Sequence, residues 1–289
     1  MQNEMVDRFF AYARARQDIK LKRDAGEPGP WTDDPILREY RFCNVYREDD
    51  KVTRWFRENI RNPLRNDPSV LYATTLFRWF NRIETAERLV GADGISSLGV
   101  FREFKPDVVR ATLAGISPIT TAAYIIKTPN GMKKLEGLLW CFEQFWNSAE
   151  KRTIPIYCSG KEVRLETVHS GLTHIPFLGG FMAYEIVTDL RHTYLLENAC
   201  DIKTWANAGP GAMRGLNRIY GRQVDKTFGQ KQANEEMQKL LALAPSYDWH
   251  DWEMREVEHT LCEVDKYERA RLGEGRPKQL YRIAGSANS

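Results

Sequence analysis

Ile175-Pro176-Phe177-Leu178-Gly179-Gly180-Phe181-Met182-Ala183-Tyr184 is the stretch whose reading decides the fold. Pro176 and the Gly179-Gly180 pair mark a tight turn, and the apolar run from Phe181 marks a helix that begins directly after it. Glycine at that joint has no Cβ, so the backbone N–H groups that open the helix can be approached closely. The helix dipole makes the same place favourable for a phosphate. The stretch lies inside Ser170–Leu196, the most apolar part of the chain. Two helices meeting at a glycine-bearing turn are therefore predicted there.

Outward from this hairpin the pattern stays helical. Residues 2–23 read as a charged helix, stopped by Gly26-Glu27-Pro28-Gly29-Pro30, and Trp31-Thr32-Asp33-Asp34-Pro35 reads as a capped entry to the next element. Ile36 to Asn59 reads as one helix, with Asn44, Arg47, Lys51 and Arg54 on one stripe. Ser69 to Val90 is helical, Gly91 to Gly99 a loop, and Pro106 opens a short helix. Tyr124-Ile125-Ile126 is a short strand or a helix end, and Met132 to Glu150 is an aromatic-rich helix. Lys151 to Val168 is polar and mixed. Gly209-Pro210-Gly211 breaks the chain before Met213–Tyr220; residues 231–244 and 252–271 are the last two helices, and the tail beyond Gly285 is expected to fray. No repeat and no long linker divides the chain. The expectation is one all-α catalytic domain over residues 1–289, hairpin and nest at about 170–220, with a division into two lobes open.

Composition limits what such a body does. A formal net charge of +3 is too small for a polycation, so a nucleic-acid reader would need its basic residues sorted onto one face. Lys and Arg cluster in Arg14–Arg23, Arg54–Arg65 and Arg269–Lys278. The five cysteines are scattered and never spaced C-x-x-C, which argues against a disulfide framework, a zinc knuckle or an iron–sulfur cluster. The N-terminus lacks an apolar core for a signal peptide and no apolar run reaches spanning length, so a cytoplasmic protein without membrane contact is expected. There is no G-x-x-x-x-G-K-[ST], no H-E-x-x-H and no G-x-S-x-G, and the five histidines lack ligand-like spacing. Neither metal nor cofactor is expected.

Two further segments carry chemistry. Trp205 to Gly215 places Gly209 and Gly211 around a proline before a helix bearing Arg214, a backbone nest suited to an anion. Glu258 to Tyr267 places Glu258, Cys262, Asp265 and Arg269 on one helix face, opposite a buried stripe of Met254, Val257, Leu261 and Val264. A salt-bridged surface helix is the commoner outcome of such a pattern.

The hairpin resembles the helix–hairpin–helix of helical DNA glycosylases, whose pattern is roughly Leu-Pro-Gly-x-Gly-x-x-x-Ala. Pro176, Gly179 and Ala183 match it, Ile175 replaces leucine, and Phe177 stands where glycine is usual. That resemblance implies that Gly179 and Gly180 meet a DNA phosphate and that Asp201, about two dozen residues on, is a catalytic acid. The ordered set Trp31–Leu37, Phe42–Asp50, Phe181–Leu190, Trp205–Gly215, Glu258–Tyr267 and Gly275–Lys278 is similar to the alpha-glutamyl/putrescinyl thymine pyrophosphorylase family, also described as the helical domain of 5-hydroxymethyluracil DNA kinases. The resemblance covers nearly the whole chain. It implies a relation to helical DNA glycosylases and a link to hypermodified pyrimidines in phage DNA. Some stand-alone relatives resemble anti-phage glycosylases.

An enzyme of that kind must flip its base out of the duplex. Asp201 by hairpin spacing, and Asp50 and Asp189 by the family segments, are the candidate catalytic carboxylates. Asn44, Arg47, Tyr46, Trp31, Tyr184 and Glu258 are candidates to hold the base. Gly179, Gly180, Gly209, Gly211, Arg214, Arg54 and Lys266 are candidates to hold double-stranded phage DNA with modified bases. The leading reading is a monofunctional glycosylase excising a bulky 5-substituted pyrimidine, such as glucosylated 5-hydroxymethylcytosine, in phage defence. The second is a transferase that displaces pyrophosphate from activated 5-hydroxymethyluracil in DNA. The third is a DNA-binding module without catalysis.

Overall fold

The computed structural model describes residues 4–94 and 97–281. Among them are fourteen α-helices and no strand; one isolated antiparallel bridge joins Tyr40 to Leu280. The fold is all-α, as expected. No helix among the described residues is long and apolar enough to cross a membrane. The opening of the first helix at residues 2 and 3, part of the 91–99 loop and the tail beyond Gly285 lie outside the described residues.

The chain divides into two compact units, one built from residues 1–50 with 203–289, the other from residues 51–202. The first unit opens with α1 (Glu4–Asp24) and α2 (Pro35–Glu39). The second holds α3 (Lys51–Phe56), α4 (Val70–Phe80), α5 (Ile83–Leu89), α6 (Gly99–Arg102), α7 (Pro106–Leu113), α8 (Lys134–Asn147), α9 (Ala149–Cys158), α10 (Leu165–Leu172) and α11 (Gly180–Leu190). The chain then completes the first unit with α12 (Pro210–Ile219), α13 (Gln230–Leu243) and α14 (Met254–Arg271).

In the first unit α14 is the central element. Glu253 and Glu256 cap its start reciprocally, and Val257, Leu261 and Val264 bury its apolar stripe. Each such side chain contributes on the order of 1.5–3 kcal/mol when fully buried. Helix α12 lies against α14 at very short range because Gly211 and Gly215 face it. A Cβ on Gly211 would stand 2.4 Å from Cys262 Sγ, and one on Gly215 would stand 2.5 Å from the Leu261 carbonyl. Helix α1 adds Phe9, whose ring meets Trp252 edge-on at 6.0 Å, and Arg8, which pairs with Glu268 at 2.6 Å.

In the second unit α4 is buried along its whole length, the mark of a core helix. Its one charged residue is inside as well. Arg78 is 1% exposed and donates to Asp189 of α11, Nη2 to Oδ1 at 2.9 Å with Nε to the other oxygen, and also reaches Asn81 and Thr53. Helices α10 and α11 form the expected pair around a turn, with Ile175 and Leu178 buried and Pro176, Phe177 and Gly179 exposed. Phe177 takes φ +65°, the left-handed region that suits the glycine of the resembled pattern.

Two expected helices are shorter. Ser69–Val90 is split because Asn81 adopts φ +44° and ends α4. Ile36–Asn59 is broken by a loop at residues 40–46 and a tight turn at Arg47–Asp49. The cause is local: Asp50 Oδ1 accepts from both the backbone and side-chain N–H of Asn44, which gives the backbone an alternative to helical bonding. Lys151–Val168, read as mixed, forms most of α9 and the start of α10.

Candidate functional site

Three sequence segments converge on α14 in the first unit. Tyr267 Oη donates to Asp34 at 2.6 Å, which also caps α2 through Ile36 and Leu37. The Cys43 amide donates to Glu263 at 2.9 Å, and a ring nitrogen of His259 lies 3.1 Å from the Asn44 carbonyl. At the start of α12 the Gly209 amide faces Glu258 Oε1 at 3.4 Å, while Arg214 donates to Asp265 at 2.8 Å. Spacing along one helix explains the order: His259, Glu263 and Lys266 meet the loop at residues 42–50, and Glu258, Leu261, Cys262 and Asp265 meet α12.

Where loop and helix meet, Cys43, Asp50 and His259 bring a sulfur, a carboxylate oxygen and a ring nitrogen within 4.8 Å of one another. Lys266 pairs with Glu263 at 2.6 Å, and its ammonium sits 4.7 Å from the centre of the Phe42 ring. Cys43 is exposed as a residue, yet desolvation of its thiol pushes it well above the usual range; Glu263 and Asp50 add to the shift and Lys266 opposes it. Burial pushes the Cys262 thiol up to about 12. Burial also works against ionised Glu263, but Lys266 and His259 outweigh it and hold that carboxyl below its ordinary value. The group thus combines a fixed carboxylate, an imidazole, two neutral thiols and a paired lysine.

Several predicted residues sit here with partners inside the protein. Asn44 is buried and occupied: it donates to Asp50 and the Asp49 carbonyl and accepts from Arg16 at 2.7 Å. Through these bonds it organises the loop. Arg47 is likewise buried. Tyr46 donates to Asp251 at 2.7 Å, and Trp31 donates to the Glu27 carbonyl at 2.7 Å beside the Tyr281 ring. The nest at Gly209 already faces the Glu258 carboxylate, the anion its dipole favours. Gly211 is required for helix packing against Cys262, and Lys266 faces Glu263 within the cluster.

The remaining predicted residues belong to the second unit. Asp201 is 2% exposed and accepts from the amides of Leu165 at 2.7 Å and Glu166 at 3.0 Å. It caps the start of α10, the end away from the turn, about 12 Å along the eight-residue helix. Asp189 is fully buried between Arg78 and Arg61. The acids read from hairpin spacing and from Phe181–Leu190 are thus committed to backbone and guanidinium partners. Tyr184 is buried, its ring 6.3 Å from that of His169. Gly179 and Gly180 stand at the exposed turn, where a Cβ on Gly179 would meet nothing within 4 Å, and Arg54 is exposed on α3. Cys43, His259 and Glu263 were not singled out as site residues. They lie within the quoted segments, but no spacing rule joins residue 43 to residue 259.

Comparison with known proteins places this geometry. A family model described as "5-hmdU DNA kinase, helical domain" matches residues 3–276. A 5-hmdU DNA kinase of Bacillus phage SP10 is 25% identical over 286 residues, covering 90% of this chain and 44% of the phage protein. The chain spans less than half the length of that relative. No solved structure matches. These findings overturn the leading expectation of base excision: both matches are named for a kinase of 5-hmdU in DNA, which accords with modification of the base instead of its removal.

Proposed function

Because the chain belongs to the 5-hmdU DNA kinase helical-domain family, we propose that it modifies 5-hydroxymethyluracil in DNA and that its first unit carries the reacting site. The reaction assigned is displacement. An amine attacks the C5-methylene carbon of a 5-hydroxymethyluracil activated as its diphosphate ester. The new C–N bond forms as the C–O bond breaks, the diphosphate leaves with the electron pair, and the amine nitrogen gives up a proton. The activating phosphorylation is assigned to a P-loop protein, a motif this sequence does not contain.

The observation that carries this reading is the convergence of Asp50 and His259, with Cys43, where the loop at residues 42–50 meets α14. The Asp50 carboxylate gives that place a negative group that favours a cationic amine. Asp50 and His259 are the groups of suitable chemistry to take its proton. In the same reading the target base is flipped from duplex DNA of phage type, and the exposed turn at Gly179-Gly180, with Arg54, meets phosphates.

The test supplies the protein with a duplex oligonucleotide bearing diphosphorylated 5-hydroxymethyluracil and either a diamine or an amino acid. Nucleoside digestion and mass spectrometry then read the base. An aminated thymine derivative and stoichiometric diphosphate release are expected. An unchanged base with both amines, or loss of the base to leave abasic sites, overturns the proposal.

A further inference from the structure

We propose that Cys43, Asp50 and His259 form a binding site for one zinc ion. Their ligand atoms lie within 4.8 Å of one another. Zinc bonds of about 2.0–2.3 Å bring tetrahedral ligands to roughly 3.5 Å apart. The ligand atoms would have to draw together by roughly 1 Å to take up the ion. Sulfur, imidazole nitrogen and carboxylate oxygen together form a donor set suited to zinc and poor for magnesium or calcium.

Each ligand is also held from behind. His259 Nε2 lies 3.1 Å from the Asn44 carbonyl, and an N–H donated there leaves Nδ1 with the lone pair a metal requires. Asn44 holds Asp50 Oδ1 through two N–H groups at 3.1 and 3.0 Å, which fixes the plane of the carboxylate. The Cys43 backbone is tied to α14 by its bond to Glu263. Asn44 therefore serves two of the three ligands, which gives its burial a purpose beyond loop closure. Three protein ligands leave a fourth position for water or a substrate oxygen, the pattern of catalytic zinc. This assignment concerns the same Asp50 and His259 to which the displacement reading gives the amine's proton; with zinc bound they would act as ligands, and the test of zinc binding does not read that activity.

Protein free of any affinity tag is stripped with a chelator, then titrated with Zn2+ against a chromophoric competitor and with Co2+ under an absorption spectrometer. One Zn2+ per chain is expected, together with a thiolate-to-cobalt charge-transfer band. Cys43→Ser should abolish the band, and His259→Ala and Asp50→Asn should each weaken Zn2+ binding at least about 10-fold, the lower end of the loss seen even for outer-shell partners. Cys200→Ser, in the other unit, should change neither; circular dichroism confirms that the variants remain folded. Absence of stoichiometric binding by the parent protein, or binding and a charge-transfer band that persist in Cys43→Ser and His259→Ala, overturns the assignment.

Discussion

Asp50 and Asp189 are both acids from segments that mark the family, and the two units use them in opposite ways. Asp189 in the second unit is fully buried, with both oxygens bound by Arg78 and with Arg61 3.7 Å away. Asp50 in the first unit is half-buried, held at one oxygen by Asn44, and grouped with a thiol and an imidazole. A carboxylate locked between guanidiniums holds a core together. One oriented by an amide beside other reactive side chains is available for chemistry. Burial and partners separate the two where residue type cannot.

The comparison is most sharply tested at Asp50. Asp50→Asn keeps an acceptor for the Asn44 amide but removes the basic oxygen. Amine transfer to the activated base should fall about 10²- to 10⁴-fold, the usual worth of a general acid or base, with the thermal midpoint little changed. A variant that retains full activity would strip the first unit of its reacting role.

Asp189→Asn should do the reverse. It removes the carboxylate charge that faces Arg78, 1% exposed, and Arg61, 2% exposed. Breaking such a buried pair costs about 3–5 kcal/mol, so urea unfolding should shift by that amount. Unaltered stability with lost activity would return Asp189 to the list of reacting groups.

Asp201→Ala removes the acceptor of two amides at the start of α10 and should destabilise by about 1–2 kcal/mol, read in the same unfolding experiment. Any activity loss should follow the unfolded fraction and vanish at low temperature. The smallest effect is at the hairpin. Phe177→Gly and Phe177→Ala both lose the ring, which meets Trp140 at 5.9 Å, but only glycine relieves the left-handed backbone at φ +65°. The glycine variant should exceed the alanine variant by about 1 kcal/mol. Equal stabilities would mean that the turn adopts another conformation in solution.

Much of the helical body could be read directly from the sequence. The capping role at Asp34, the helix opened by Pro106, the break at Gly209-Pro210-Gly211 and the apolar stripe of α14 are all local patterns, fixed by neighbours within four residues. The glycine-bearing turn was equally legible, although Phe177 occupies the position of a glycine. The helix drawn through residues 40–50 failed because periodicity does not register a side chain that bonds its own backbone, as Asp50 does to Asn44.

Sequence spacing also offered Asp201 as the reacting acid, and here it could not see the partner. The amides of Leu165 and Glu166 lie thirty-six and thirty-five residues upstream. The resemblance identified the segments without showing that three of them meet on one helix.

By itself the sequence determined an all-helical chain, its family and the segments that mark it, because helix periodicity, caps and turn residues act over a few positions. Only the tertiary structure decided which acids bond backbone amides or guanidiniums and which stands beside a thiol and an imidazole. Cys43 and Asp50 meet His259 across more than two hundred residues. Contacts of that range are set by how α14 packs, through Gly211 and Gly215 against α12 and through its own face against the loop, and no local pattern encodes them.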